Sequence, residues 1–378
     1  MNSWVDVSVS RLREVDIFDL LRREPVRMET GVLGESLENR VVMVTGAGGS
    51  IGSELCRQIA RLNPDKLLML GHGENSIFSA LISLRERFPA LEIVPLIADV
   101  RDMPRLNVIF DRWSPEVIFH TAAHKHVPLM ESNVEEAVTN NILGTQNIVK
   151  AALTHDVPRL VMISTDKAIR PVSVMGATKR VAEMLVLDEA KRNERAFTVV
   201  RFGNVLGSRG SVVPRFKRQI AAGGPVTVTH PEMKRYFMTI PEAVHLVLQA
   251  SSMSKGGENY ILDMGEPVKI LDLAEDLIRL SGLEPGKDIE IVFSGIRPGE
   301  KLSEDLWEKG FAYSPTTHPD IHQVDSEEII SSDVLGVFVN ELIRMAREGK
   351  SEGILSLLSD VIPGASIHTH ETDLDRIE

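Results

Sequence analysis

Residues 43–62 read MVTGAGGSIGSELCRQIARL, and this stretch decides the fold. An apolar run closes at Thr45, glycines follow at Gly46, Gly49 and Gly52, and an amphipathic helical pattern begins at once. Gly46 permits a tight turn, Gly49 lets the backbone approach a pyrophosphate, and Gly52 allows a helix to pack closely on the strand. The first turn of that helix then offers unpaired N–H groups and a partial positive charge to phosphates. Strand, glycine turn and helix in this order predict a dinucleotide-binding unit, with Gly46, Gly49, Ser50, Ile51 and Gly52 at the cofactor.

Outward from this turn, apolar runs alternate with amphipathic helical stretches: RVVMVTG from Arg40, KLLMLG from Lys66, EIVPLIADV from Glu92, EVIFHTA from Glu116, RLVMISTD from Arg159 and FTVVRFGNV from Phe197. Such alternation is the mark of βαβ units around a parallel sheet. The expected fold class is therefore α/β, a doubly wound parallel sheet with a smaller C-terminal substrate-binding lobe. Ligands of such sheets lie at the carboxyl ends of the strands. That rule singles out Gly46, Asp99, Val100, Thr121, Ala122, Ala123, residues 165–167 and residues 203–205.

The expected organisation has four parts. Residues 1–38, with the amphipathic DIFDLLRREP from Asp16, form a leader that docks on the core, and residues 39–205 form the dinucleotide-binding domain. Residues 206–325, containing PVTVTH, NYILDM and ILDLAEDLIRLSG, form a lobe interleaved with the core. Residues 326–378 form an acidic tail with helical periodicity in DVLGVFVNELIRMAREG.

With 378 residues, of which 43% are hydrophobic, the chain can bury a full core. No stretch approaches the roughly 18 uninterrupted apolar residues of a membrane span, and the N-terminus lacks a secretory signal pattern, so a cytoplasmic protein is expected. The single cysteine, Cys56, excludes an internal disulfide framework and a multi-cysteine metal site. A net charge of −12 argues against nucleic acid or an anionic membrane surface as partner. Between Arg195 and Tyr236, however, Arg195, Arg201, Arg209, Arg215, Lys217, Arg218, Lys234 and Arg235 face one acid, Glu232, beside glycine-rich loops. A compact anion such as a diphosphate fits that imbalance.

An acid about 20 residues beyond the glycine turn would hold the adenosine ribose and favour NAD over NADP. Here the second strand ends at Gly71 within LGHGENSIF, and Glu74 is displaced. NAD is the expected cofactor, with NADP open. Asp99, in IADVRD, is placed either for the adenine amino group or as an N-cap for the next helix.

With TGAGGSIG, HTAAHKHVPLME, NNILGT, STDKAIRPVSVMGATKR, RFGNVLGSRGSVVP, RYFMT and RPGEKLSE in this order, residues 12 to 330 resemble the UDP-N-acetylglucosamine 4,6-dehydratases. These are extended short-chain dehydrogenase/reductases, and the resemblance is to the branch serving bacterial capsule and glycan synthesis. It implies a UDP-sugar substrate, NAD(P) and a homo-oligomer. In the implied reaction, hydride leaves C4 of the sugar, the C5 proton is removed, the C6 hydroxyl leaves as water and hydride returns to C6.

The resemblance assigns Asp166 as the acid toward the C6 oxygen and Lys167 as the base at C5. An aspartate near about 3.9 must then rise and a lysine near about 10.4 must fall, and burial alone shifts each in that direction. Where standard members carry Tyr-x-x-x-Lys, this chain has Met175 and Lys179. A thioether carries no proton, so the C4 hydroxyl falls to Thr165 as a relay, to a bound water or to Lys179, with Thr165 working with Lys179 the expected arrangement. Inverting relatives keep the tyrosine, and Met175 therefore implies retention at C5. Lys125 and His126 are implied near the sugar, Asn204 at a phosphate or sugar oxygen, Arg235 and Arg297 at the pyrophosphate and Glu300 at the uridine ribose. His120, His124 and His126 lack a carboxylate pattern, and no metal is expected. The alternatives are a C5-inverting dehydratase, a UDP-sugar 4-epimerase and a non-catalytic dinucleotide-binding module.

Overall fold

Runs rich in aliphatic residues suit the strands of a parallel sheet, which away from its edges are covered on both faces. They form Val41–Thr45 (β1), Lys66–Gly71 (β2), Glu92–Ile97 (β3), Val117–His120 (β4), Arg159–Thr165 (β5) and Ala196–Phe202 (β6). The computed structural model describes residues 36–307, 310–325 and 330–367. These six strands pair in parallel in the order β3-β2-β1-β4-β5-β6. The order reverses between β1 and β4, which opens a crevice at their carboxyl ends.

Asn259–Leu262 (β7), expected in the second lobe, instead pairs in parallel with β6. All four of its residues are buried, so it needs neighbours on both faces and finds them in the main sheet. Tyr313–Pro315 (β8) and Ile321–Val324 (β9) extend the same edge antiparallel, giving a sheet of nine strands among the described residues.

Helices cover both faces. Ser50–Ile59 (α1) and Glu74–Arg87 (α2) lie on one, and Met103–Trp113 (α3), Gly144–Thr154 (α4) and Val174–Asn193 (α5) on the other. Val212–Ala221 (α6) begins the smaller lobe, and Ile240–Met253 (α7) returns to pack beside α1. Ile270–Leu280 (α8) shares with α6 a separate core built on Phe216, Val226, Leu273 and Leu277.

The tail forms Ser332–Arg347 (α9) and Ser351–Val361 (α10). Leu335, Phe338, Val339 and Leu342 make a buried stripe at helical spacing against α5. Each such side chain contributes about 1.5–3 kcal/mol on burial, so the tail is part of the core. Of the leader, only residues 36–38 fall among the described residues, with Leu37 buried in the core; DIFDLLRREP lies outside them. Among the described residues no helix is long and apolar enough to cross a membrane. Cys56 is a free, buried thiol on α1, pushed up by burial.

Candidate active site

The turn between β1 and α1 is as tight as its glycines require. Gly46 has φ +66°, and a Cβ there would lie 2.8 Å from the backbone nitrogen of Ala122 at the end of β4. A Cβ on Gly52 would collide with the Gly46 carbonyl. No side chain caps α1, so its first N–H groups have no capping partner next to Gly49, which lines the crevice. A cradle that excludes side chains and ends in free donors fits a dinucleotide pyrophosphate. The crevice is about 220 Å³ and is lined by Gly46, Gly49, Val100, Ala122 and Ala123 among others. Ser50 accepts a hydrogen bond through Oγ from the Arg209 N–H at 3.1 Å, and Ile51 packs on the core.

In sequence Arg209 is one of eight cations; in the structure its guanidinium donates to the Gly48 carbonyl and so lays the loop after residue 206 across the glycine turn. The same loop touches two expected sugar-side residues. Lys125 donates from Nζ to Ser208 Oγ at 3.3 Å, and a Cβ on Gly210 would lie 2.8 Å from the His126 ring. Burial and then the Arg209 charge lower Lys125, while burial, Lys125 and His124 lower His126.

On the adenosine side Gly71, His72 and Ser76 line the crevice. Asp99 is bound by Arg101, with Nε to Oδ1 at 3.0 Å and Nη2 to Oδ2 at 2.7 Å, and the Arg101 hydrogen bond holds its carboxyl below the usual range. It does not cap the next helix; Asp102 does, accepting from the Arg105 N–H at 3.0 Å. Asn141, in a π-helical segment Val138–Leu143, pins the loop after β4 by accepting from the His124 N–H at 2.8 Å and donating to its carbonyl at 3.1 Å. Such segments interrupt helices at functional sites with some frequency.

β5 ends one strand further along, and there Thr165, Asp166 and Lys167 meet. Asp166 is fully buried, and its Oδ1 accepts from Thr165 Oγ1 at 2.9 Å and from Lys167 Nζ at 2.9 Å. Asn204 Oδ1 accepts from the same Nζ at 3.1 Å, which ties Asn204 to Lys167.

One expectation fails in the free protein. Burial lowers Lys167, but the charges of Asp166 and Glu304 more than offset it, and Lys167 stands raised. A lysine between two carboxylates keeps its proton however dry the site is.

Lys179 does behave as burial dictates. Its Nζ donates to the Ile163 carbonyl at 2.7 Å, and desolvation pushes it down to about 8. Met175, one turn before it, is buried in the apolar cluster with Val127, Met130 and Val181. His120 is neutral, driven to about 3 by burial and then by Lys179, and its nitrogens engage Thr45 Oγ1 at 2.7 Å and Thr145 Oγ1 at 3.0 Å.

The eight cations of residues 195–235 do not form one surface. Arg201 is buried against Glu183 on α5, and Arg195 pairs with Asp156. Arg235 is buried, with Nη1 on the Lys234 carbonyl at 2.7 Å and Nη2 on the Lys301 carbonyl at 2.8 Å. Arg297 pairs with Glu300 at 2.6 Å, and its charge, with that of Arg218, bears on Arg215, which burial lowers first. Arg215, Arg218 and Arg297 are therefore the cations that gather near the expected nucleotide end.

The family described as polysaccharide biosynthesis protein matches residues 42–326. The capsular polysaccharide biosynthesis protein CapD of Staphylococcus aureus is 52% identical over 340 residues, which are 89% of this chain and 56% of CapD. The chain thus spans about half the length of that relative. A UDP-N-acetylglucosamine 4,6-dehydratase (inverting) of Campylobacter jejuni is 33% identical over 78% of this chain and 87% of its own. Among solved structures, Pen from Bacillus thuringiensis is 33% identical with a TM-score of 0.70, over 80% of this chain and 98% of Pen.

Proposed function

The chain belongs to the polysaccharide biosynthesis protein family, and from that membership we propose that it is a nucleotide-sugar 4,6-dehydratase acting on UDP-N-acetylglucosamine with retention at C5, in capsule or glycan synthesis. The observation that carries this reading is the contact of 2.9 Å between the partly buried Lys167 Nζ and the buried Asp166 Oδ1 at the end of β5. A simple dehydrogenase or a 4-epimerase needs no such acid and base pair, and a binding module needs neither.

The glycine turn, with Gly46, Gly49, Ser50, Ile51 and Gly52, would hold the dinucleotide, for which NAD is our reading, and Lys179 would hold its nicotinamide ribose. Bound there, it would take a hydride from C4 and return it to C6, and its ring would add a positive charge. Before the hydride is taken, that charge favours loss of the Lys167 proton, which the free protein disfavours, so that a neutral amine would be in place when the 4-ketone makes the C5 proton acidic.

Thr165 then takes the C4 hydroxyl proton as its own moves to Asp166, along a hydrogen bond already in place at 2.9 Å. Asp166 becomes the acid that the departing C6 oxygen requires, and that proton leaves with the water. Lys167 takes the C5 proton and returns it. A single base working on one face gives back the configuration it began with, which supports retention.

Incubation with UDP-N-acetylglucosamine and NAD in deuterated water tests the reading: a product lighter by one water, with a 4-keto group and unchanged C5 configuration by proton NMR, is expected. An inert protein under varied cofactor sinks the dehydratase, and an inverted C5 sinks retention. Met175→Tyr is expected to gain less than tenfold in kcat, where a working general base contributes roughly 10²–10⁴, because the site of Met175 is apolar and Thr165 already has its acceptor.

A further inference from the structure

Lys167 has a second anionic neighbour that the steps above leave unused. Glu304, the last residue of RPGEKLSE, is buried, with Oε1 3.7 Å from Lys167 Nζ and 3.9 Å from Arg235 Nε. Its Oε2 is buried with no hydrogen-bond partner among the described residues, as is Oδ2 of Asp166. Leaving a buried polar atom unpaired costs about 1–3 kcal/mol, more for a charged group. Folding alone would be better served by a neutral side chain here. The backbone carbonyls of Lys234 and Lys301 meanwhile pin the Arg235 guanidinium beside Glu304.

We propose that Glu304 is a positioning residue of this site: braced by Arg235, its carboxylate fixes the Lys167 amine beside Asp166 and sets how readily Lys167 gives up the proton it must lose before acting on the sugar. The last clause rests on the dehydratase reading; the control of the proton does not. Lys167 is faced by Asp166 from its own turn, by Asn204, by Arg235 and by Glu304, and Tyr236 lies within electrostatic reach of Asp166. Burial drives Lys167 toward the neutral amine, Asp166 and Glu304 oppose that, and Arg235 assists it.

Glu304→Gln removes one of two anions and keeps the shape. Lys167 should then lose its proton about one pH unit lower, roughly tenfold in proton affinity. The measurement is a pH titration of the full chain carrying ¹³C at the lysine Cε atoms, with the Lys167 resonance assigned by its loss in Lys167→Arg. A midpoint in Glu304→Gln that is unchanged or higher overturns the proposal. Arg235→Gln removes the opposing cation and should raise the midpoint, so two variants moving the same way also overturn it.

This readout needs no turnover. A midpoint that falls in a protein inert toward UDP-N-acetylglucosamine leaves the role of Glu304 standing and removes the dehydratase. With turnover, the base works only when deprotonated, so the acidic limb of kcat/KM should move to lower pH by the same amount. A purely structural glutamate would lower activity at every pH and leave the limb where it was.

Discussion

Lys167→Met is expected to lower kcat by roughly 10²–10⁴-fold, the contribution of a well-placed general base, with dinucleotide binding retained. The methionine keeps the length and apolar character of the stem but has no amine to take the C5 proton. The glycine turn that would hold the dinucleotide lies at the end of β1, two strands from Lys167, and makes no use of its charge. The variant also strands the Asp166 and Glu304 carboxylates, because both lose the cation between them. Removing one member of a buried charge pair costs about 3–5 kcal/mol, so unfolding in urea should come at clearly lower denaturant. Adding Glu304→Gln to Lys167→Met takes away one stranded carboxylate and should recover part of that stability while restoring no turnover. Recovery of turnover in the double variant would remove Lys167 from the chemistry.

Glu183→Ala should be among the most destabilising single changes in the protein, at about 3–5 kcal/mol. Glu183 is fully buried on α5, where it accepts from Arg201 Nε at 2.8 Å and Nη2 at 2.5 Å and from Arg180 Nη1 at 3.2 Å. Its loss leaves two buried guanidinium groups without their shared anion. Burial alone would raise this carboxyl, but the Arg201 and Arg180 charges outweigh burial and hold it below the usual range. A carboxyl lower in the folded state than in the unfolded chain stabilises fully above the unfolded value, and the benefit fades as pH falls through the folded value. The stability gap between wild type and Glu183→Ala should therefore be widest near neutrality and narrow in acid. A gap below about 1 kcal/mol at pH 7 would be that of an exposed pair and would contradict the buried network.

Gly46 declares its role locally in the chain, and Arg201 does not. Gly46, Gly49 and Gly52 announce a turn because the backbone demand and the residues that meet it are adjacent in sequence. The six strands of 40–205 are legible for a similar reason, since each is a short run rich in aliphatic residues between turn or helix signals. The pair Asp166 and Lys167 is visible as neighbours at a strand end. Arg201 in sequence is one cation among eight, and nothing around it names Glu183 as its partner. β7 reads as part of a later lobe because its helical and strand neighbours do, yet its four buried residues place it beside β6.

By itself, then, the sequence determined the parallel sheet, the glycine turn at its centre and the adjacency of Asp166 and Lys167 at the end of β5, because each depends on residues within a turn or a strand of one another. Only the tertiary structure decided which charges are spent and which are free. It turned Arg235 onto backbone carbonyls, gave Asn204 to Lys167, brought Glu304 to the same amine and packed Met175 among apolar side chains. It also reversed the expected state of Lys167, since the affinity of an amine for its proton is set by desolvation together with every charge within a few ångströms, and those neighbours come from β5, from the strand Lys234–Arg235 and from the loop at Glu304.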